Sequence, residues 1–223
     1  MSNRLKIRYP DDSQRITIIG KTGSGKTQGA AWLLSNRSYT SKPWIVLDYK
    51  YDELLGSIAG TKEFEIGSKV PKSPGLYMVH PNKSDEDGVE KLLWKIWERE
   101  NVGLYIDEGY MIPDRSEAFQ AILTQGRSKR IPVIMLTQRP AWVTRFAFSE
   151  ADYIQLFQLT DTRDIKVVKQ FMPLPIDRPL PAPYYSWWWD NARGYKAVLQ
   201  PVPNRDSILA TFHDRIGAKR RVL

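Results

Sequence analysis

Eight consecutive residues, Gly20 to Thr27, read GKTGSGKT. Their spacing satisfies G-x-x-x-x-G-K-[ST]. Gly23 and Gly25 permit backbone conformations that a Cβ hinders, so successive N–H groups can turn inward around phosphate oxygens. A helix opening at Gly25 adds unpaired N–H donors and the positive end of its dipole. Lys26 then supplies a cation for β- and γ-phosphates, and the Thr27 hydroxyl is a ligand for Mg²⁺. The expected contacts for ATP are therefore Gly20, Lys21, Thr22, Gly23, Ser24, Gly25, Lys26, Thr27 and Gln28.

A second chemical group stands at Asp107 and Glu108, which close the apolar run in GLYIDEGY. Adjacent carboxylates at the end of a buried strand are costly unless used. Beside a phosphate loop, Asp107 holds Mg²⁺ through water, and Glu108 orients and polarises the attacking water. A third is Gln138, the last residue of another apolar run, IPVIMLTQ, where an amide can touch both γ-phosphate and water. From Arg127 to Arg145 stand Arg127, Lys129, Arg130, Arg139 and Arg145, with no acid among them. One use is an arginine that reaches a neighbouring subunit's γ-phosphate, where bidentate donors stabilise transition-state charge. Arg127 is the first choice for that role and Arg130 the second. The competing uses are contact with a nucleic-acid backbone and a plain solvated face.

These groups need a scaffold that brings strand ends together. RITIIG (15–20), PWIVLDYK (43–50), GLYMVHP (75–81), NVGLYIDE (101–108), IPVIMLTQ (131–138) and DYIQLFQL (152–159) read as strands. Helices are expected from about Gly25 to Ser35, over 85–100, over the first part of 116–129, and over 161–172 with Asp161 as cap. In 85–100, Val89, Leu92, Leu93, Ile96 and Trp97 share one face. Continuous apolar strands alternating with helices predict an α/β fold, a mainly parallel sheet covered on both faces. Ligands in such sheets lie beyond the C-terminal strand ends, where all three groups fall. After Met172 the composition turns to proline and aromatics. Tyr184 to Trp189 and Tyr195 to Gln200 read as a hairpin joined through DNARG, and 205–216 as a last helix. The expectation is a single domain over 1–223, with a core of about 15–172 and an appended C-terminal extension, 173–223.

Bulk properties narrow the partners. The chain of 223 residues carries a net charge of +8, which favours polyanions. It has no cysteine, which excludes disulfides and thiolate metal sites. The N-terminal MSNRLKIRYPDD lacks the apolar core of a signal peptide, and no apolar run approaches a membrane span. His80 and His213 have no histidine or cysteine cluster near them and are expected to be structural. The tryptophans of YYSWWWD point to both faces of a strand, so packing in the core or between subunits is expected ahead of base stacking or capsid docking. The tail AKRRVL (218–223) is either a solvated end or a phosphate contact.

Taken in order, GKTGSGKT, VLDYKYDE, LYIDEGY and GRSKRIPVIMLTQRP resemble the FtsK–HerA superfamily of ring-forming, DNA-pumping P-loop ATPases. The match runs from about Ile16 to Leu159. It implies a RecA/FtsK-like fold and a homo-oligomeric ring, expected to be a hexamer, with ATP between subunits. By the same likeness Asp48 and Lys50 lie near the subunit interface. The absence of an anchor or an extra barrel makes the chain most similar to the genome-packaging ATPases of tailless icosahedral viruses with an internal membrane. That implies double-stranded DNA and capsid or portal-vertex proteins as partners, and a place in the host cytoplasm during assembly and then at the packaging vertex of the virion. The alternatives are a phage-assembly ATPase that moves protein, another DNA-pumping motor of this type, and a non-hydrolysing scaffold. Glu108 argues against the scaffold, which needs no base.

Overall fold

Residues 6–176 and 178–216 are described by the computed structural model. The tail AKRRVL lies outside the described residues. The chain opens with β1 (Arg15–Ile19), α1 (Lys26–Ser35), β2 (Pro43–Leu47), a short α2 (Glu53–Gly56) and a two-residue β3 (Lys62–Glu63). There follow β4 (Gly75–Val79), α3 (Glu86–Arg99), β5 (Gly103–Ile106), α4 (Glu117–Gln125) and β6 (Val133–Thr137). The last elements are α5 (Phe146–Ser149), β7 (Tyr153–Leu156), α6 (Thr162–Lys169), β8 (Ser186–Asp190), β9 (Tyr195–Leu199) and α7 (Arg205–Ile216).

The strands join in one sheet of nine, ordered β3-β4-β2-β5-β6-β1-β7-β8-β9. β1 to β7 pair in parallel, and β8 and β9 continue the sheet antiparallel. β1, β2, β5, β6 and β7 are buried along their whole length. This explains their unbroken apolar runs, since a strand covered on both faces has no solvent side on which to alternate. On one face Ile19, Leu47, Ile106 and Met135 meet α3 and α4. On the other, Ile18, Val46, Tyr105 and Leu136 meet α1 and α7.

Local chemistry sets the element ends. The Asp85 carboxylate accepts from Gly88 N at 2.9 Å and starts α3. Val89, Leu92, Leu93 and Ile96 are buried as the periodicity predicts. Trp97, read onto the same face, is only half-buried, and Lys129 Nζ lies 4.6 Å from its ring centre. α4 stops at Gln125 because the chain then turns tightly, with Ser128, Lys129 and Arg130 N–H groups each bonded to the carbonyl three residues back. The Asp161 side chain caps α6 as expected, accepting from Arg163 N and Asp164 N.

The tryptophan triplet belongs to the core. Trp188 is 0% exposed and packs against Tyr153, with ring centres 5.2 Å apart. Trp187 and Trp189 take the opposite face. Beneath them the Gln155 amide donates to Ser186 Oγ at 2.9 Å, which satisfies a buried polar pair between β7 and β8.

One contact makes the packing of β5 testable. A Cβ on Gly103 would collide with the fully buried ring of Trp44 on β2. Gly103→Ala is expected to destabilise the protein by about 1–3 kcal/mol through overpacking. The check is the urea unfolding midpoint, and an unchanged midpoint would show that the ring can yield.

Candidate active site

Strand order decides which chemistry meets. β6 lies between β5 and β1, so Gln138 stands between the acids and the glycine loop. With strands about 4.8 Å apart, the ends of β5 and β1 are roughly 10 Å from each other, a gap wide enough for a triphosphate. Backbone bonds carry the ladder to the edge of the site: Gly20 N to Thr137 O at 3.1 Å and Asp107 N to Leu47 O at 2.9 Å.

The glycine loop is tied on both flanks. Lys21 N donates to Gln158 O at 3.1 Å beyond β7. Thr22 Oγ1 donates to Gln138 Oε1 at 2.6 Å, and Gln138 Nε2 donates to Tyr110 Oη at 3.3 Å. Gly23 and Gly25 have φ of 75° and 93°, in the region that glycine enters without penalty. A side chain at Gly25 would also meet the Tyr184 ring, 3.1 Å from an ideal Cβ. The result is a cradle at the N-terminus of α1, with Thr27 in its first turn.

Lys26 is 4% exposed, and burial lowers its pKa, with Asp107 and then Asp52 acting against that. Its Nζ lies 4.0 Å from Glu108 Oε1. Lys50 Nζ forms an ion pair with the same oxygen. Glu108 itself is 1% exposed and adopts a left-handed backbone, φ 59° and ψ 62°. That conformation costs a non-glycine residue about 1–2 kcal/mol, and strain of this kind concentrates at functional sites. Asp107 is 0% exposed, and among the described residues neither carboxylate oxygen has a hydrogen-bond partner. Burial pushes its pKa up to about 6, with the Lys50 charge opposing.

These orphaned atoms test the fit to Mg²⁺. The buried Asp107 carboxylate and the buried Ser24 Oγ, neither hydrogen-bonded among the described residues, are polar atoms that a cation and a phosphate group would satisfy. Among the described residues no cluster of three or more His, Cys, Asp or Glu could cage a metal. Mg²⁺ commonly takes one or two protein oxygens and completes its shell with water and phosphate, so Thr27 and Asp107 suit it.

Asp48 and Lys50, which the resemblance places near the subunit interface, also shape the site within one protomer. Asp48 is 0% exposed and accepts from Lys50 N at 3.1 Å and Asp52 N at 2.9 Å. His80 stacks on Tyr51 with ring centres 4.1 Å apart, and its Nδ1 lies 3.1 Å from Asp48 O. These contacts fix the 48–52 turn and aim Lys50 at Glu108. Asp48 is thus buried within its own chain, and Lys50 reaches the carboxylate of its own protomer. The sequence signal was a lysine two places after an acid at the end of the strand beside β5.

The basic segment divides between the two ends of the sheet. Arg127 and Arg130 sit before β6, at the N-terminal strand edge, away from the phosphate loop of the same chain. Arg127 is exposed, 3.8 Å from Asp152. Arg130 is exposed, with φ 55°, and its carbonyl accepts from Lys42 Nζ at 3.2 Å. Arg139 lies beside the site, 3.5 Å from both Asp161 and Asp164. Arg145 stands 5.9 Å over the Phe171 ring.

A glycine cradle with its lysine, an acid pair one strand removed and a glutamine between them define a P-loop ATPase. The chain is 45% identical over 227 residues to the DNA packaging ATPase P9 of Enterobacteria phage PRD1, covering 97% of this chain and 99% of that protein. It belongs to that family of viral packaging ATPases. No family model matches the chain. Among solved structures, the genome packaging NTPase B204 of Sulfolobus turreted icosahedral virus 2, in complex with ATP-gammaS, superposes with a TM-score of 0.66 at 16% identity, over 87% of this chain and all of that one. EssC of Geobacillus thermodenitrificans, ATPases 2 and 3, gives 0.64 at 13% identity over 91% of this chain and 44% of that one. Both establish the fold.

Proposed function

We propose that this chain hydrolyses ATP to drive double-stranded DNA into a preformed viral capsid. The observation that carries the reading is the 45% identity to P9 along nearly the whole of both chains. The backbone amides of Gly23 to Thr27 and the Lys26 ammonium hold the triphosphate. Thr27 and Asp107 hold Mg²⁺, which when bound neutralises phosphate charge. Glu108 accepts a proton from the attacking water as its oxygen bonds to the γ-phosphorus and the bond to the β–γ bridging oxygen breaks. Gln138, hydrogen-bonded to Thr22 on the cradle, links the loop to the position of that water.

The whole chain acts as one unit in this reading, the core of about 15–172 carrying the 173–223 extension. It works as a homo-oligomeric ring, with six the expected number of protomers. The exposure of Arg127 and its distance from its own loop suit a residue that serves a neighbouring protomer, with Arg130 as the alternative. The net charge of +8 suits a DNA backbone. The ring assembles in the host cytoplasm and docks on capsid or portal-vertex proteins, staying with the packaging vertex.

Turnover with and without duplex DNA, at two salt concentrations, tests this. DNA is expected to raise the ATPase rate several-fold at low salt. The stimulation should fall steeply as salt rises, because counterion release makes backbone binding salt-dependent. A rate indifferent to duplex DNA would leave the ATPase intact and remove the DNA motor.

A further inference from the structure

The proline-rich extension builds a cavity against the phosphate loop. Its volume is about 560 Å³, within the range of small-molecule sites. Lys21, Gly23 and Ser24 form its floor on the loop side. Phe157, Leu159, Ile176, Leu180 and Trp187 contribute apolar wall, and no described lining residue is acidic. The neighbouring cleft, about 260 Å³, is lined by Thr22, Gln138 and the ion-paired Arg139, Asp161 and Asp164, which offer no ring face.

At the mouth of the larger cavity stands Tyr184. Tyr185 N bonds to Ala182 O at 3.4 Å, closing a four-residue turn with Pro183 second and Tyr184 third. Proline second and positive φ third is the pattern of a type II turn, in which glycine normally fills the third place. Here tyrosine fills it, with φ of 66°. The residue is 58% exposed, and its ring stacks on no other ring among the described residues. Its ring lies over Gly25, 3.1 Å from where a Cβ on that residue would stand. A strained backbone that holds an aromatic ring, stacked on no other described ring, beside a phosphate cradle is the kind of outlier found at ligand sites.

We propose that this cavity is the nucleoside subsite and that the face of Tyr184 stacks on the base of the triphosphate held by Gly20–Thr27. The proposal rests on the triphosphate reading of the loop and adds the residue that grips the other end of the ligand. Stacking uses the ring face, so the tyrosine hydroxyl is dispensable.

The experiment is calorimetric titration of the full chain with ATP and, separately, with inorganic tripolyphosphate, both with Mg²⁺. Tyr184→Gly is the informative variant because glycine relieves the strained φ. Its thermal midpoint should stay at or near the wild-type value. Its Kd for ATP should rise about ten-fold or more, the scale of one aromatic–base stack, while its Kd for tripolyphosphate stays unchanged. Tyr184→Phe should bind ATP like the wild type. An ATP affinity unaffected in Tyr184→Gly would place the base elsewhere. An equal loss for both ligands would show that Tyr184 acts on the loop and would overturn the subsite. Failure of the wild type to bind either ligand would remove the triphosphate reading itself, and the subsite with it.

Discussion

Lys26→Ala is expected to abolish measurable ATP turnover and to weaken ATP binding sharply. The Lys26 ammonium is almost wholly removed from solvent and stands at the start of α1, where the loop amides converge. A cation in that setting acts through a low effective dielectric, so its attraction for phosphate is far stronger than at a surface. Loss of one such preorganised charge costs about 3–4 kcal/mol of transition-state stabilisation, a factor of roughly 10²–10³ in rate. The fold should survive, because Glu108 keeps its ion pair with Lys50 when Lys26 is gone. The measurements are steady-state turnover, ATP titration and the thermal midpoint on one preparation. Turnover within a few-fold of wild type would mean that the loop does not hold the triphosphate.

That prediction could be written from sequence because its residues are contiguous. Eight residues fix the loop, and two adjacent acids fix the other pole. The unbroken apolar runs gave the parallel sheet, since strands buried on both faces leave no alternation. Strand order was another matter. That β6 lies between β5 and β1 follows from tertiary packing, and it is this order that turns Gln138 from a polar strand end into a partner of Thr22. Lys50 was legible as part of a motif and illegible as a contact, because its aim depends on a buried Asp48 that holds two backbone amides. Tyr184 was read as the start of a strand that begins at Ser186. The run of aromatics hid a turn, because tyrosine occupies the place where glycine would have announced it. The acid partners Asp152, Asp161 and Asp164 of Arg127 and Arg139 come from outside the acid-free basic run, so that segment looked freer than it is.

Glu108→Gln separates binding from chemistry, which Lys26→Ala cannot. The amide has nearly the volume of the carboxylate, so the buried position beside Lys26 and Lys50 stays filled. What disappears is the ability to accept a proton from water. Loss of a positioned general base costs about 10²–10⁴ in rate, and ATP affinity should remain within a few-fold of wild type. The exchange also replaces an ion pair with a hydrogen bond from Lys50 to the amide oxygen, so a modest loss of thermal stability should accompany it. A burial-only role for Glu108 predicts the reverse pattern, turnover retained and stability altered. On the proposed function, DNA raises turnover through the same carboxylate, so the comparison sharpens with DNA present. The variant should bind ATP and duplex together and hydrolyse neither faster nor slower for the presence of DNA. Turnover that persists, or that DNA still accelerates, would move the base to another residue.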